Sequence, residues 1–361
     1  MSSFSKGALP PLSPAAPRRE GRVFISGHSL TDPPFGAFLE DLARGVGGNV
    51  RYEEQSLPGS TLKSRTRGEG SGATWSGYKT GRNRSTENLD VLAELASPRE
   101  EPGRPYDTLL VTERHDLLGV FVWDDTLTHL RDFQQRFVRT TPNGAMYFYE
   151  PWLSVNDKAN PEAWVRYERA ASPVWQCTTT RINLELAASG SPQRIHAIPA
   201  AWALAELVDR AARRPADFGF AGDTLSVMNE LFTDDVHPTP LGVQYVASFA
   251  FGVMFGVSPV DAPAPPDLPK QKVAPLRALA WELAQEARER RRRLDMAECR
   301  EYVRSSFIDA YWDYVSLLHW ERGMGALTAP LKRFRHKREW KSAHFPESAD
   351  NPFADVPGAG G

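Results

Sequence analysis

The chain has 361 residues, enough for one large domain or two, with 41% apolar and 24% charged residues, proportions ordinary for a globular protein. Its formal charge of −2 provides no global field that would draw it to nucleic acid or to an anionic membrane. Residues 1–21, MSSFSKGALPPLSPAAPRREG, hold neither an apolar signal core nor a membrane-spanning run. They read as a flexible leader and the protein as cytosolic, or as periplasmic or secreted if a preceding segment is missing.

RVFIS (22–26) reads as a first strand, and FGAFLEDLARGV (35–46) as the helix after it. NVRYEEQ (49–55) fits a second, more polar strand. Residues 62–88, LKSRTRGEGSGATWSGYKTGRNRSTEN, break the pattern: they are rich in Gly, Ser and Arg, with Trp75 and Tyr78 embedded. So long a stretch without obvious structure is commonly functional or disordered. DTLLVT (107–112) is the clearest strand, and TLTHLRDFQQRFVR (126–139) a helix with apolar residues at helical spacing. AMYFYE (145–150) and RIHAIP (194–199) supply a fourth and fifth strand, on either side of a long segment at 161–189. PLGVQYVASFAFGVMFG (240–256) is a closing apolar helix with Pro240 in its first turn. Strands alternating with helices over 22–257 predict an α/β domain with a mostly parallel sheet.

A Pro-rich linker at 258–274 marks a boundary, and 275–345 reads as a helical extension. There Leu276, Leu279 and Leu283, then Val303, Phe307, Tyr311, Tyr314 and Leu318, recur at three- and four-residue steps. That stripe is core, or a seam that pairs two copies. The basic runs at 287–295 and 331–341 read as solvated helix faces or as docking sites for an acidic surface. Residues 346–361 read as a disordered tail. The two cysteines, Cys177 and Cys299, show neither a disulfide framework nor metal-ligand spacing, so reduced, buried thiols are expected.

Two stretches carry chemistry. ISGHSLTD (25–32) puts Ser29 just after the first strand, at the carboxyl edge of a parallel sheet where clefts form. Alone, Ser29 could equally cap the next helix. LFTDDVHPTPLGVQYVA (231–247) supplies Asp234 and His237, a carboxylate and an imidazole three residues apart, before the last helix. A hydroxyl nucleophile needs such a base and a carboxylate to orient it. Asp235, at a spacing of two, is the alternative acid.

Together these blocks resemble the SGNH hydrolases, also called GDSL esterases and lipases, over residues 22–257. The resemblance implies a flavodoxin-like three-layer α/β/α sandwich with a mainly parallel five-stranded sheet. It implies Ser29 as nucleophile, His237 as base and Asp234 as acid. SLPGST (56–61) looks like the family's second block, so Gly59 and Ser29 would donate backbone N–H groups to the oxyanion hole. Two departures stand out. GHS replaces the usual GDS, and the third block, G-x-N-D in the family, appears as Glu113-Arg114-His115-Asp116. His115 then stands where an asparagine should donate, and a neutral imidazole still has one N–H.

The insertion at 62–88 follows Gly59 and should overhang the cleft. Trp75 and Tyr78 are candidates to stack on sugar, and Arg82 and Arg84 to meet polar or anionic groups. Glu113 and Arg114 are either substrate contacts or an internal ion pair. These features lead to the expectation of a serine esterase that removes O-acyl groups, acetyl above all, from a carbohydrate. A glycan O-acyltransferase would use the same residues, and a non-catalytic glycan-binding or scaffolding relative would explain the altered third block. No cofactor is implied. His28, His115, Asp116, Asp234 and His237 lie on scattered loops without the spacing of a metal site. No nucleic-acid partner is expected.

Overall fold

The computed structural model describes residues 16–68, 76–289, 294–320, 323–325, 328–348 and 351–356. Five strands form one parallel sheet: β1 (Glu20–Gly27), β2 (Asn49–Ser56), β3 (Thr108–Thr112), β4 (Ala145–Tyr149) and β5 (Ile195–Ile198), in the order β2-β1-β3-β4-β5. All lie within two residues of the runs read from sequence. A parallel sheet is covered on both faces, so its inner strands become continuous apolar runs. Every residue of β3, TLLVT, is buried.

Right-handed crossovers decide which face each helix covers. The connection β1→β2 runs one way along the sheet and carries α1 (Phe35–Gly45). After α2 (Leu62–Thr66) and α3 (Val91–Ala96), the chain crosses to β3 on the other side of β1 and proceeds in the opposite direction. The connections that follow hold α4 (Leu117–Trp123), α5 (Thr126–Thr140) and α6 (Glu162–Ala188). They therefore cover the face opposite α1, which gives the three-layer α/β/α sandwich. Past β5 come α7 (Ala200–Arg213), α8 (Thr224–Leu231) and α9 (Pro240–Phe255), the last packed beside α1. The reversal between β1 and β3 opens a crevice at their carboxyl ends.

The remaining helices are α10 (Lys270–Glu289), α11 (Met296–Tyr302), α12 (Ile308–His319) and α13 (Thr328–Glu339). They join the same core. Leu276, Leu279 and Leu283 of α10 are buried in it, and Arg277 donates to the carbonyl of Ala262 in the Pro-rich segment. That segment thus connects parts of one core and does not separate two domains. Val303, Phe307, Tyr311 and Tyr314 are buried within the chain, with Tyr314 stacked on Tyr167 of α6 at 4.7 Å. Intramolecular packing therefore uses the stripe that might have paired two copies. On α13 and just after it, Lys337 and Lys341 pair with Asp313 and Asp309, while Arg335 and Arg338 face outward. No helix among the described residues is long and apolar enough to cross a membrane.

Three expectations are corrected. Cys177 and Cys299 are joined in a disulfide that ties α6 to α11 across 122 residues; the pairing depends on two helices meeting in space, which sequence spacing does not report. In the part of the leader that is described, Arg18 pairs with Asp107 at 2.8 Å and its N–H bonds the Phe255 carbonyl, so 16–21 is held and β1 begins at Glu20. In the tail, Phe353 is buried against Phe121 and Phe345, so that stretch is packed where disorder was expected.

A closed loop of that length removes much of the freedom of the unfolded chain. Replacing both cysteines by alanine is expected to lower unfolding stability by about 2–4 kcal/mol in denaturant titrations. Thiol titration of the denatured, unreduced protein should find no free thiol; two free thiols would show that the bond does not form.

Candidate active site

β1 delivers the chain to a tight turn. The Thr31 N–H donates to the His28 carbonyl at 2.8 Å. A Cβ on Gly27 would sit 1.8 Å from Thr31 Oγ1, so a side chain there has no room. Ser29 is presented at the turn's apex, partly exposed.

The partner turn comes from the far end of the domain. Asp234 Oδ1 accepts the N–H groups of Val236 at 2.8 Å and His237 at 2.7 Å. Its Oδ2 lies 2.7 Å from His237 Nδ1. One carboxylate thus fixes both the turn and the imidazole, which is why a spacing of three works. Asp235 instead offers its backbone carbonyl to the Val155 N–H. The turn is further held by Trp152 Nε1–H donating to the Val236 carbonyl at 2.8 Å. Thr239 caps α9, with Pro240 in its first turn.

His237 Nε2 lies 2.9 Å from Ser29 Oγ, across 208 residues of chain. The tautomer follows from the partners. An ionised carboxylate only accepts, so Nδ1 carries the proton; Nε2 of the neutral ring then accepts, and the Ser29 hydroxyl donates to it. Partial burial pushes the Asp234 carboxyl up, but the His237 and Val236 donors and the imidazole charge outweigh it and hold it down to about 2.

The second block is the turn at Gly59. Leu57 N–H bonds the Gly27 carbonyl at 3.1 Å, and Ser60 N–H bonds Leu57. Gly59 is exposed with φ of +70°, a conformation that favours glycine. The third block follows β3. His115 is half-buried and couples electrostatically to Asp116, Arg114, His237 and His319. Burial is the main cause holding its imidazole below the ordinary value, which favours the uncharged ring with a single N–H.

Other sequence candidates fall elsewhere. Glu113 is fully buried and accepts from Leu62 N–H at 2.8 Å, Arg114 N–H at 2.7 Å and Thr126 Oγ1 at 2.8 Å. It ties loops together and offers nothing to a substrate. Tyr78 is buried against Phe133, its hydroxyl donating to Asp132 at 2.8 Å. Arg84 pairs with Glu40 at 2.9 Å and lies over the Tyr52 ring. Arg82 bridges Ser56 through its backbone and donates its guanidinium to the Thr86 carbonyl. Arg114 pairs with Asp124 at 3.1 Å. Trp75 lies outside the described residues.

Sequence reasoning missed two residues beneath the site. Arg65, read as part of an overhanging loop, is completely buried. It donates from Nε to Ser26 Oγ at 3.1 Å, from Nη1 to Ser60 Oγ at 2.7 Å, and from Nη2 to the Thr112 carbonyl. His28 is buried too, with Nε2 2.8 Å from the Glu113 carbonyl. That oxygen only accepts, so Nε2 donates there, while Nδ1 accepts the Leu30 N–H at 3.4 Å, the pattern of a neutral ring. Burial, with Arg65 nearby, lowers its pKa to about 3.

This has a pH consequence. Folded His28 stays neutral down to about 3, whereas its ordinary value is 6.5. Between those values the unfolded state binds more protons, so the His28 contribution to stability falls as pH drops through that window. Comparison with a His28→Asn variant cancels other groups, such as Glu54, whose carboxyl burial pushes up to about 8. Between about pH 7 and about pH 5, the variant should lose less unfolding stability than the wild type. Parallel losses would mean that His28 takes its proton in both states alike.

No family model matches the chain, and no curated protein matches it. Among solved structures, it is similar to a DUF4886 family protein from Bacteroides uniformis. That likeness has a TM-score of 0.51 and 11% sequence identity, and covers 77% of this chain and 99% of the other. At that identity the likeness is one of fold.

Proposed function

We propose that the protein is a serine esterase of the SGNH type that removes O-acyl groups, acetyl above all, from a carbohydrate. The observation that carries this reading is the continuous line Asp234–His237–Ser29, with contacts of 2.7 and 2.9 Å, at the carboxyl edge of the sheet.

The reaction would run in two halves. Ser29 Oγ attacks the ester carbonyl carbon while its proton passes to His237 Nε2. Asp234, held ionised by its donors, stabilises the imidazolium that forms. The backbone N–H groups of Ser29 and Gly59, with the neutral His115 ring, are the proposed donors to the oxyanion. Collapse breaks the bond to the sugar oxygen, and His237 returns the proton to that leaving group. Water then attacks the acyl-serine, again giving its proton to His237, and the carboxylic acid departs as Ser29 recovers its hydrogen. His115 keeps one donor where the family has an asparagine, which is compatible with activity.

The Cys177–Cys299 disulfide bears on location. Such bonds persist in oxidising compartments, which supports a periplasmic or secreted protein over a cytosolic one.

With p-nitrophenyl acetate as substrate, Ser29→Ala should lower kcat by a factor on the order of 10³ or more. Equal rates for wild type and variant would remove the esterase reading. His115→Ala should cost about 10²–10³ in kcat if its ring donates to the oxyanion; a loss smaller than about three-fold would exclude that role.

A further inference from the structure

Trp123 is 57% exposed and ends α4, the helix that begins just after His115 and Asp116. Two ties link it to the elements that carry the candidate site. Its indole folds back over the helix: a Cβ on Gly119 would lie 2.9 Å from Trp123 Cζ3 and 2.2 Å from Asp116 Oδ2. A side chain at 119 would therefore displace one or both, and the bare glycine lets indole and carboxylate lie side by side. The second tie is its backbone carbonyl, which accepts from Lys63 Nζ at 3.3 Å. Lys63 belongs to α2, directly after the Gly59 turn. The residue is thus tied to the helix after the glycine turn and to the helix that follows the His115 loop.

The C-terminal helices hold this arrangement. Trp340 meets Trp123 edge to face, with centroids 5.4 Å apart at 89°. Trp340 also packs on Tyr311, whose hydroxyl donates to Asp116 Oδ1 at 2.5 Å. Asp116 precedes α4 but makes no side-chain cap to it. Its Oδ2 has no hydrogen bond among the described residues.

A largely exposed indole, held by Trp340 and His344 and lying next to a carboxylate oxygen with free lone pairs, suits one kind of ligand. A pyranose ring has an apolar C–H face and a rim of hydroxyl donors. The face would lie on the indole and a rim hydroxyl would donate to Asp116 Oδ2. A rigid aromatic loses little entropy on binding, and here its geometry is already set. We propose that Trp123 and Asp116 form a subsite for the neutral pyranose ring that bears the ester. This rests on the esterase reading and assigns its substrate class to Asp116, together with Trp123, which the sequence did not single out.

The test has a kinetic and an equilibrium arm. In the first, kcat/KM for acetylated xylo-oligosaccharide is divided by that for p-nitrophenyl acetate. Trp123→Ala should lower this ratio about ten-fold, chiefly through KM, while Trp123→Phe keeps most of it. In the second, deacetylated gluco-, xylo- and manno-oligosaccharides are titrated by calorimetry into Ser29→Ala, with and without Trp123→Ala. At least one should bind, and about ten-fold more weakly to the double variant. A ratio equal to wild type in a folded Trp123→Ala protein overturns the subsite, as does an absence of binding by all three sugars. So does an equal loss on methyl ferulate, which would give the indole to a flat acyl group. If the wild type hydrolyses no ester, the esterase reading fails while the titrations still judge the sugar site.

Discussion

A single guanidinium lies beneath the candidate site, and the site's geometry depends on how its charge is satisfied. Arg65 is wholly buried, where an unpaired charge is prohibitively unfavourable. Burial lowers its pKa only to about 10, with Glu113 and Asp32 opposing the shift, so it is charged at neutral pH. Its donors reach Ser26 near the end of β1, Ser60 beside the glycine turn, and the Thr112 carbonyl at the end of β3. Ser26 in turn donates to Gln55 of β2 at 2.8 Å. The three loops that carry Ser29, Gly59 and His115 are thus referenced to one planar fork. Lysine, a point charge on a flexible stem, could not hold several directions at once.

Sequence reading succeeded where the governing physics is local. The inner strands carry short apolar runs, because a doubly covered sheet demands it, while β2 at the edge is more polar. The Asp234–His237 turn was visible because a carboxylate that caps two N–H groups and reaches an imidazole works only at short spacing. Failures came where the partner is remote. Residues 62–88 were read as a solvated, substrate-facing loop from their Arg, Gly and Ser content. Composition reports charge but not what neutralises it, and Arg65, Arg84 and Tyr78 found Ser60, Glu40 and Asp132 inside the fold. Trp123 was overlooked for the opposite reason. It ends the apolar run LLGVFVW, which reads as core until the fold turns its last residue outward.

His28 has a structural role in the turn that holds Ser29. Its ring crosses from the turn that holds Ser29 to the Glu113 carbonyl, joining the first and third blocks by a hydrogen bond. An ionised aspartate there would set a carboxylate against a carbonyl with no proton between them. The histidine of GHS thus matches the backbone oxygen that the loop after β3 presents to it.

The C-terminal helices also reach the loop after β3. Asp116 follows His115, and its Oδ1 is held by Tyr311 of α12. Tyr314, one turn further along, is anchored by stacking on Tyr167 and by donating to the Ser154 carbonyl at 2.5 Å. The disulfide fastens α11, just upstream, to α6. An imidazole that replaces an amide donor has one N–H in place of two and depends more on being aimed. The C-terminal helices reach Asp116, the residue next to the imidazole that we propose as such a donor. The loop after β3 and the C-terminal helices are thus tied together: removing the helices would take from Asp116 Oδ1 its Tyr311 partner.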